Sequence, residues 1–320
     1  MKRKLIRRAA MLALAAVMMT GSASALFGLK KEMSPAPGAP QAQDLEIRTY
    51  RGIPIRGQFL ATDQEGDEMT FALADEPRKG VVVIEGMEFV YTPDEGITGG
   101  DSFTYTATDS EGHVSLPAKV SVKIDKTRSG VTYADMEDSA AACAAQRLAE
   151  EGIFTGTKIG EQYYFQPDQT VSREEFLAMT LETAEREVTP VTMTGFSDDA
   201  SIPTWAKAYA AAGVADGVVW GRSTDAGPVF QGGNPITFNE AAAILDRMLD
   251  LGDVDLEVWY ADREAAPSWA AQAVGNMEAV SVLAAGSFGS PRMAQPLTRA
   301  DAAMMLASAR TLLQDTEKGR

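Results

Sequence analysis

One six-residue stretch occurs three times, and it constrains the C-terminal half of the chain more than any other feature. Val171-Ser172-Arg173-Glu174-Glu175-Phe176 returns as Ile236-Thr237-Phe238-Asn239-Glu240-Ala241 and again as Leu297-Thr298-Arg299-Ala300-Asp301-Ala302. Each copy reads aliphatic, hydroxyl, two variable positions, acid, apolar, and each opens an apolar run at helical spacing. The hydroxyl stands where an N-cap belongs, with an acid three residues on. Each of the two can satisfy a backbone N–H that the first helical turn leaves unpaired. Asp301 is shorter than glutamate and makes the third box an imperfect one. Spacings of 65 and 61 residues between the hydroxyls mark a repeated unit rather than three unrelated helix starts.

The 320 residues have room for two or three domains. Twenty-nine bases face 45 acids, a formal charge of −16, and five of the bases fall within the first eight residues. So acidic a chain argues against nucleic acid and against a basic patch for anionic lipid. Residues 1–25 read as a secretory signal: a basic start, an apolar stretch from Ala9 to Met19, and a small-residue site at Ala23-Ser24-Ala25. No later segment approaches the ~20 apolar residues that span a bilayer, so no transmembrane helix is expected after signal cleavage. Residues 26–43, rich in Pro, Ala, Gly and Gln, form a linker. Cys143 is the only cysteine, so no internal disulfide can form, and a small buried side chain is its expected role.

From about 44 to 125 the period is two. Met69 to Leu73, Met87 to Tyr91, Ser102 to Ala107 and Val120 to Ile124 alternate as half-buried strands do, and Val81 to Ile84 suits a strand covered on both faces. About seven short strands predict an immunoglobulin-like sandwich. Ala61-Thr62-Asp63-Gln64-Glu65-Gly66-Asp67, Phe89-Val90-Tyr91-Thr92-Pro93 and Gly100-Asp101-Ser102-Phe103 through Asp109 resemble the bacterial cadherin-like, Ig-like surface modules. That resemblance implies a weak calcium alternative at Asp63, Asp67, Asp101 and Asp109, hard oxygen ligands of the right kind. Turn geometry is the leading reading of the same acids. No other cofactor is expected.

A polar hinge over 126–131 precedes six expected helices, two per repeat: about 138–151 with 172–187, 203–216 with 237–250, and 267–280 with 298–313. The repeats, placed at 132–189, 190–252 and 253–313 ahead of a tail at 314–320, share more than a cap. Each opens aromatic-x-Asp, at Tyr133 to Asp135, Phe196 to Asp198 and Tyr260 to Asp262. Trp205 and Trp269 each follow nine residues after that aromatic. A glycine break begins at Gly152 and Gly217, and Phe165-Gln166 or Phe230-Gln231 precedes the capped helix.

The pattern resembles an S-layer homology triplet. The expected architecture is thus multidomain: an all-β Ig-like sandwich, then an all-α pseudo-threefold triplet. The resemblance implies non-covalent anchoring of an exported protein to a (pyruvylated) secondary polysaccharide, a peptidoglycan-linked glycan of a Gram-positive-type wall, with the Ig-like domain as spacer or adhesion module toward other surface proteins. It also implies inter-repeat grooves formed by Asp135, Asp198, Asp262, Trp205, Trp269, Gly152, Gly217, Arg173 and Arg299. A pyruvate carboxylate could be drawn to the helix N-termini at Ser172, Thr237 and Thr298. Trp205 and Trp269 are as readily core as sugar platform. Repeat two has Phe238 in place of the arginine and repeat three has Ser281 at its break, so at most two arginine sites are expected to be intact. Repeat two also carries extra loop at 222–228, and 288–293 fits the repeat poorly.

The residue inventory speaks against catalysis. His113 is the only histidine, and neither a nucleotide loop nor a base near Cys143 can be found. A wall-active glycosidase built on acidic loops, or a calcium-dependent adhesin, is the alternative.

Overall fold

The computed structural model describes residues 37–137 and 139–318, so the expected signal and most of the linker lie outside the described residues. The described chain divides into two compact units, 37–150 with 157–164 and 151–156 with 165–318.

The first unit is a β-sandwich followed by one helix and a hairpin. A four-stranded sheet runs in the order β2 (Leu45–Tyr50), β9 (Ala118–Asp125), β8 (Gly99–Thr108), β5 (Thr70–Asp75). Here β2 lies parallel to β9 and the other pairs are antiparallel. A three-stranded sheet runs β3 (Ile55–Gln58), β7 (Glu88–Pro93), β6 (Gly80–Glu85), and β1 (Gln41–Ala42) pairs with β4 (Ala61–Thr62). Alternation puts Phe89 and Tyr91, Phe103 and Tyr105, and Val120, Val122 and Ile124 into one buried cluster with Phe59. The Tyr105 hydroxyl donates within reach of the Gln43 and Leu60 carbonyls, at 2.6 and 2.7 Å, so a buried phenol ends on polar partners. Gly57 admits no side chain, since a Cβ there would lie 2.3 Å from the Phe89 ring.

One strand departs from expectation. Val81 to Ile84 is not covered on both faces: β6 is the edge of its sheet, with Val82 and Ile84 against the core and Val81 and Val83 exposed. A continuous apolar run does not distinguish an edge from a centre.

Helix α1 (Ala142–Glu150) and the hairpin β10 (Thr157–Ile159) with β11 (Gln162–Tyr164) fall in this unit, so the stretch read as repeat one is divided between the two. The 126–131 segment is pinned rather than free. Glu150 accepts from the Arg128 and Ser129 N–H groups, at 2.6 and 3.0 Å, and from the Ser129 hydroxyl at 2.6 Å. The Cys143 thiol is 3.4 Å from the Arg48 carbonyl, and burial pushes it up, away from thiolate reactivity.

The second unit is helical: α2 (Arg173–Thr183), α3 (Thr204–Ala215), α4 (Phe238–Leu249), the short α5 (Leu256–Trp259), α6 (Ala271–Ala279) and α7 (Arg299–Lys318). The stretch read as extra loop in repeat two is a hairpin, β12 (Arg222–Thr224) with β13 (Gly227–Val229), that matches β10–β11 of repeat one strand for strand, so it is not an insertion. Repeat three has a 3-10 turn, Pro291–Ala294, in the corresponding place. Among the described residues, no helix is long and apolar enough to cross a membrane.

Candidate functional site

The three boxes meet. Val171 N–H donates to the Leu297 carbonyl at 3.0 Å, Leu297 N–H to Ile236 at 2.8 Å, and Ile236 N–H back to Val171 at 3.0 Å. All three aliphatic side chains are buried, and bridges join Thr170 to Thr298, Ser172 to Pro235 and Thr237 to Pro296. The ring is closed, with each repeat donating to one neighbour and accepting from the other. It brings Ser172, Thr237 and Thr298 around one centre.

Both predicted full boxes form. Ser172 accepts from the Glu175 N–H while Glu175 accepts from the Ser172 N–H, and Thr237 and Glu240 do the same. Thr298 and Asp301 also reach each other's N–H, at 3.2 and 3.1 Å, so the shorter acid suffices.

At two of these N-termini the backbone donors are taken within the protein. Arg173 N–H donates to the Asn234 carbonyl and Glu174 N–H to Gly232, at 2.9 and 3.0 Å. Arg299 and Ala300 N–H groups donate to Gln169 and Pro167, at 2.8 and 3.0 Å. With the boxes, this fills every first-turn donor of α2 and α7, leaving a ligand nothing to bind on those backbones.

Each of the three junctions pairs an arginine with a phenylalanine. Arg173 lies over Phe230 at 5.8 Å, and Arg299 over Phe154 at 5.2 Å. At the junction thought to lack a cation, Arg292 lies over Phe238 at 4.8 Å. The pair is exchanged rather than missing: the phenylalanine stands on the helix and repeat three returns the arginine. Position-by-position comparison of repeats cannot see such a swap, and the only signal in the sequence is an arginine six residues ahead of Thr298.

Their surroundings differ. Arg299 donates to the Phe165 carbonyl at 3.1 Å and the Gln166 side chain at 2.8 Å. Arg292 pairs with Asp301 at 2.6 Å. Arg173, with its side chain only 18% exposed, reaches just Glu240, at 3.5 Å, and burial holds its guanidinium below the usual range despite that carboxylate.

The opening acids diverge in role. Asp198 accepts from the Phe230 and Gln231 N–H groups, both at 2.8 Å, and so holds the loop ahead of its box. Asp262 is exposed and makes no side-chain cap to the 3-10 turn Arg263–Ala265 that follows it. Asp135, half-buried in the first unit, raises the Tyr133 phenol after burial does. Trp205 and Trp269 are surface rather than core, 49% and 59% exposed, and Trp205 makes an edge contact with Tyr209 of its own helix. Gly152 and Gly217 have φ of 75° and 70°, the left-handed turn that ends α1 and α3. Ser281 takes the same turn with φ 58°.

The four carboxylates considered for calcium do not form one site. Asp63 accepts from the N–H groups of Glu65, Gly66 and Asp67, closing the turn that also contains Asp67. Asp101 accepts from the Arg78, Lys79 and Ser102 N–H groups and the Tyr91 hydroxyl; burial pushes its carboxyl up, and these bonds bring it below its usual range. Asp109, eight residues on, accepts from the Glu111 and His113 N–H groups and the His113 ring. An extended strand rising ~3.3 Å per residue puts Asp101 and Asp109 roughly 26 Å apart, too far to share an ion. Among the described residues, no group of three or more His, Cys, Asp or Glu is placed to hold a metal.

Residues 36–125 match the family described as Bacterial Ig domain. No curated protein sequence matches the chain. Similar solved structures include the endo-fucoidan hydrolase MfFcnA4 from glycoside hydrolase family 107, at 19% identity and TM-score 0.23 over 32% of this chain and 15% of that one. The fibronectin(III)-like modules of Clostridium thermocellum CbhA match at 14% identity and TM-score 0.21, over 28% of this chain and 47% of that one. The SrpA adhesin of Streptococcus sanguinis matches at 18% identity and TM-score 0.22, over 38% of this chain and 82% of that one. The chain spans only about 15% of the length of the hydrolases that head these matches. Residues 36–125 are a bacterial Ig-like domain, and a helical region follows it.

Proposed function

We propose that this chain is an exported surface protein whose residues 132–313 are an S-layer homology triplet, held non-covalently by a secondary wall polysaccharide, while the Ig-like domain serves as spacer or adhesion module. The observation that carries the reading is the closed ring of Val171, Ile236 and Leu297, which sets three arginine–phenylalanine junctions around one centre. Such junctions suit an acidic sugar: a guanidinium for its carboxylate and aromatic faces for its ring. The role is binding rather than catalysis, in keeping with a single histidine committed to Asp109 and a thiol raised by burial.

Co-sedimentation with purified Gram-positive wall sacculi tests it. The full chain should pellet with intact sacculi and remain in solution once the secondary polymer has been stripped. Retention on stripped sacculi, or none on intact ones, would overturn the reading.

A further inference from the structure

Each of the two main sheets of the Ig-like domain ends in two edge strands, and three of these edges are guarded. β2 has α1 packed against it, with the Cys143 thiol on the Arg48 carbonyl. β3 is only four residues long, follows Pro54 and carries Arg56, which pairs with Glu85 and Glu88. β5 has an irregular register between Leu73 and Asp75 and ends on that acid. Short length, proline, charge, bulges and a covering helix are the devices by which a sheet edge refuses another strand. Between Gly80 and Ile84, β6 has none of them: it reads Gly-Val-Val-Val-Ile in unbroken register with β7.

The ladder fixes what that edge offers. The Asp94 N–H donates to the Lys79 carbonyl at 2.9 Å, and antiparallel pairs exchange bonds at every second residue, so Val81, Val83 and Glu85 direct their backbone groups to β7. Gly80, Val82 and Ile84 turn theirs outward, where the sheet has no further strand. Val81 and Val83 stand on the outer face, 59% and 54% exposed, beside the half-buried Val90 of β7. Charge lies only at the ends of the strand. Arg78 and Lys79 precede it, the Lys79 ammonium 2.8 Å from the Gly100 carbonyl, and Glu85 closes it, sharing Arg56 with Glu88.

A strand laid out in this way complements itself when reversed. About a twofold axis at Val82, that residue faces its own copy, Gly80 faces Ile84, Val81 faces Val83 and Lys79 faces Glu85. The outward backbone groups then meet in about six ladder bonds. Valines pair on the outer face, and bases stand beside acids at both ends. A parallel pairing would set base beside base and acid beside acid.

We propose that β6 is a self-association edge, through which two copies of this chain join antiparallel into one continuous sheet. The proposal concerns the Ig-like domain alone and stands whether or not a wall polymer holds the chain. A single strand pair is a small interface, so a dissociation constant on the order of 10–100 μM is expected.

Sedimentation velocity on the chain from residue 26 onward, free of the expected signal, tests it at about 1 to 300 μM. Monomer should pass to dimer across that range. Val83→Lys, which sets an ammonium against Val81 of the second copy, should weaken the dimer by about tenfold or more. Glu85→Lys should also weaken it, and adding Lys79→Glu should restore it, as antiparallel pairing alone requires. Val258→Lys, at a valine 78% exposed in the helical unit, should dimerise as wild type, with far-UV circular dichroism unchanged throughout.

A monomer at every concentration, or a dimer undiminished by Val83→Lys, would overturn the proposal. So would open-ended oligomers, since a twofold pairing closes on itself. If the chain stays monomeric until residues 26–36 are deleted, its own N-terminal stretch, and not a second copy, is the strand that fills the edge.

Discussion

Ser281 holds a backbone conformation that its counterparts give to Gly152 and Gly217. Its N–H donates to the Glu278 carbonyl and Val282 N–H donates to Met277, the pattern by which Gly217 and Val218 close α3 onto Val214 and Gly213. A left-handed serine costs about 1 kcal/mol that glycine avoids. Ser281→Gly should therefore raise the unfolding free energy by about 1 kcal/mol, read as a higher urea midpoint at constant slope. The sequence marked this position as a departure but could not say whether the turn survived. It does, because the bonds that close it come from backbone. Phe238 reads as a lost cation for a related reason: Arg292, which lies over its ring, sits outside the aligned window. Residue identity at equivalent positions was legible, and exchange across a junction was not.

Among the elements, those with local chemical signals were legible and those without were not. Helices α2, α4 and α7 begin where their boxes place them, since the box is built from residues adjacent in sequence. The hairpins β10–β11 and β12–β13 went unseen because most of their residues face solvent and so leave no alternation to read. Repeat two also carries a link between elements that depends on acid. Asp199, in the 3-10 turn Asp199–Ser201, meets Lys207 of α3 at 2.6 Å and accepts from the Thr194 N–H and hydroxyl. Lys207 first, then Thr194, lowers its carboxyl from 3.8 to about 2. A depressed carboxyl stabilises the fold above its unfolded value and ceases to do so as pH falls through its folded value. Asp199→Asn should thus melt below wild type at pH 7, and the gap should close between roughly pH 4 and pH 2. A gap that stays constant across that range would show the carboxylate to be a spectator.

At the scale of the whole helical unit, closure makes stability indivisible. Removing residues 297–318 deletes one member of the ring, strands the Val171 N–H and the Ile236 carbonyl, and uncovers both aliphatic neighbours. Each lost hydrogen bond costs about 0.5–1.5 kcal/mol net, and the lost apolar packing adds more. The truncated chain should lose nearly all the helical circular dichroism of this unit rather than about a third, and should keep the Ig-like domain's near-ultraviolet signal. That there are repeats, and how many, could be read from the chain. That they join head to tail could not, since the donors and acceptors are backbone groups common to every sequence.

Open-ended arrays, such as solenoids, leave a vacant face at each extremity and can lengthen by duplication, one unit after another. A head-to-tail arrangement that returns to its start has no vacant face on which another unit could stack. Three is thus a geometric quota here. A fourth copy, if gene duplication supplied one, would have nowhere to dock without first opening a circle that already satisfies itself.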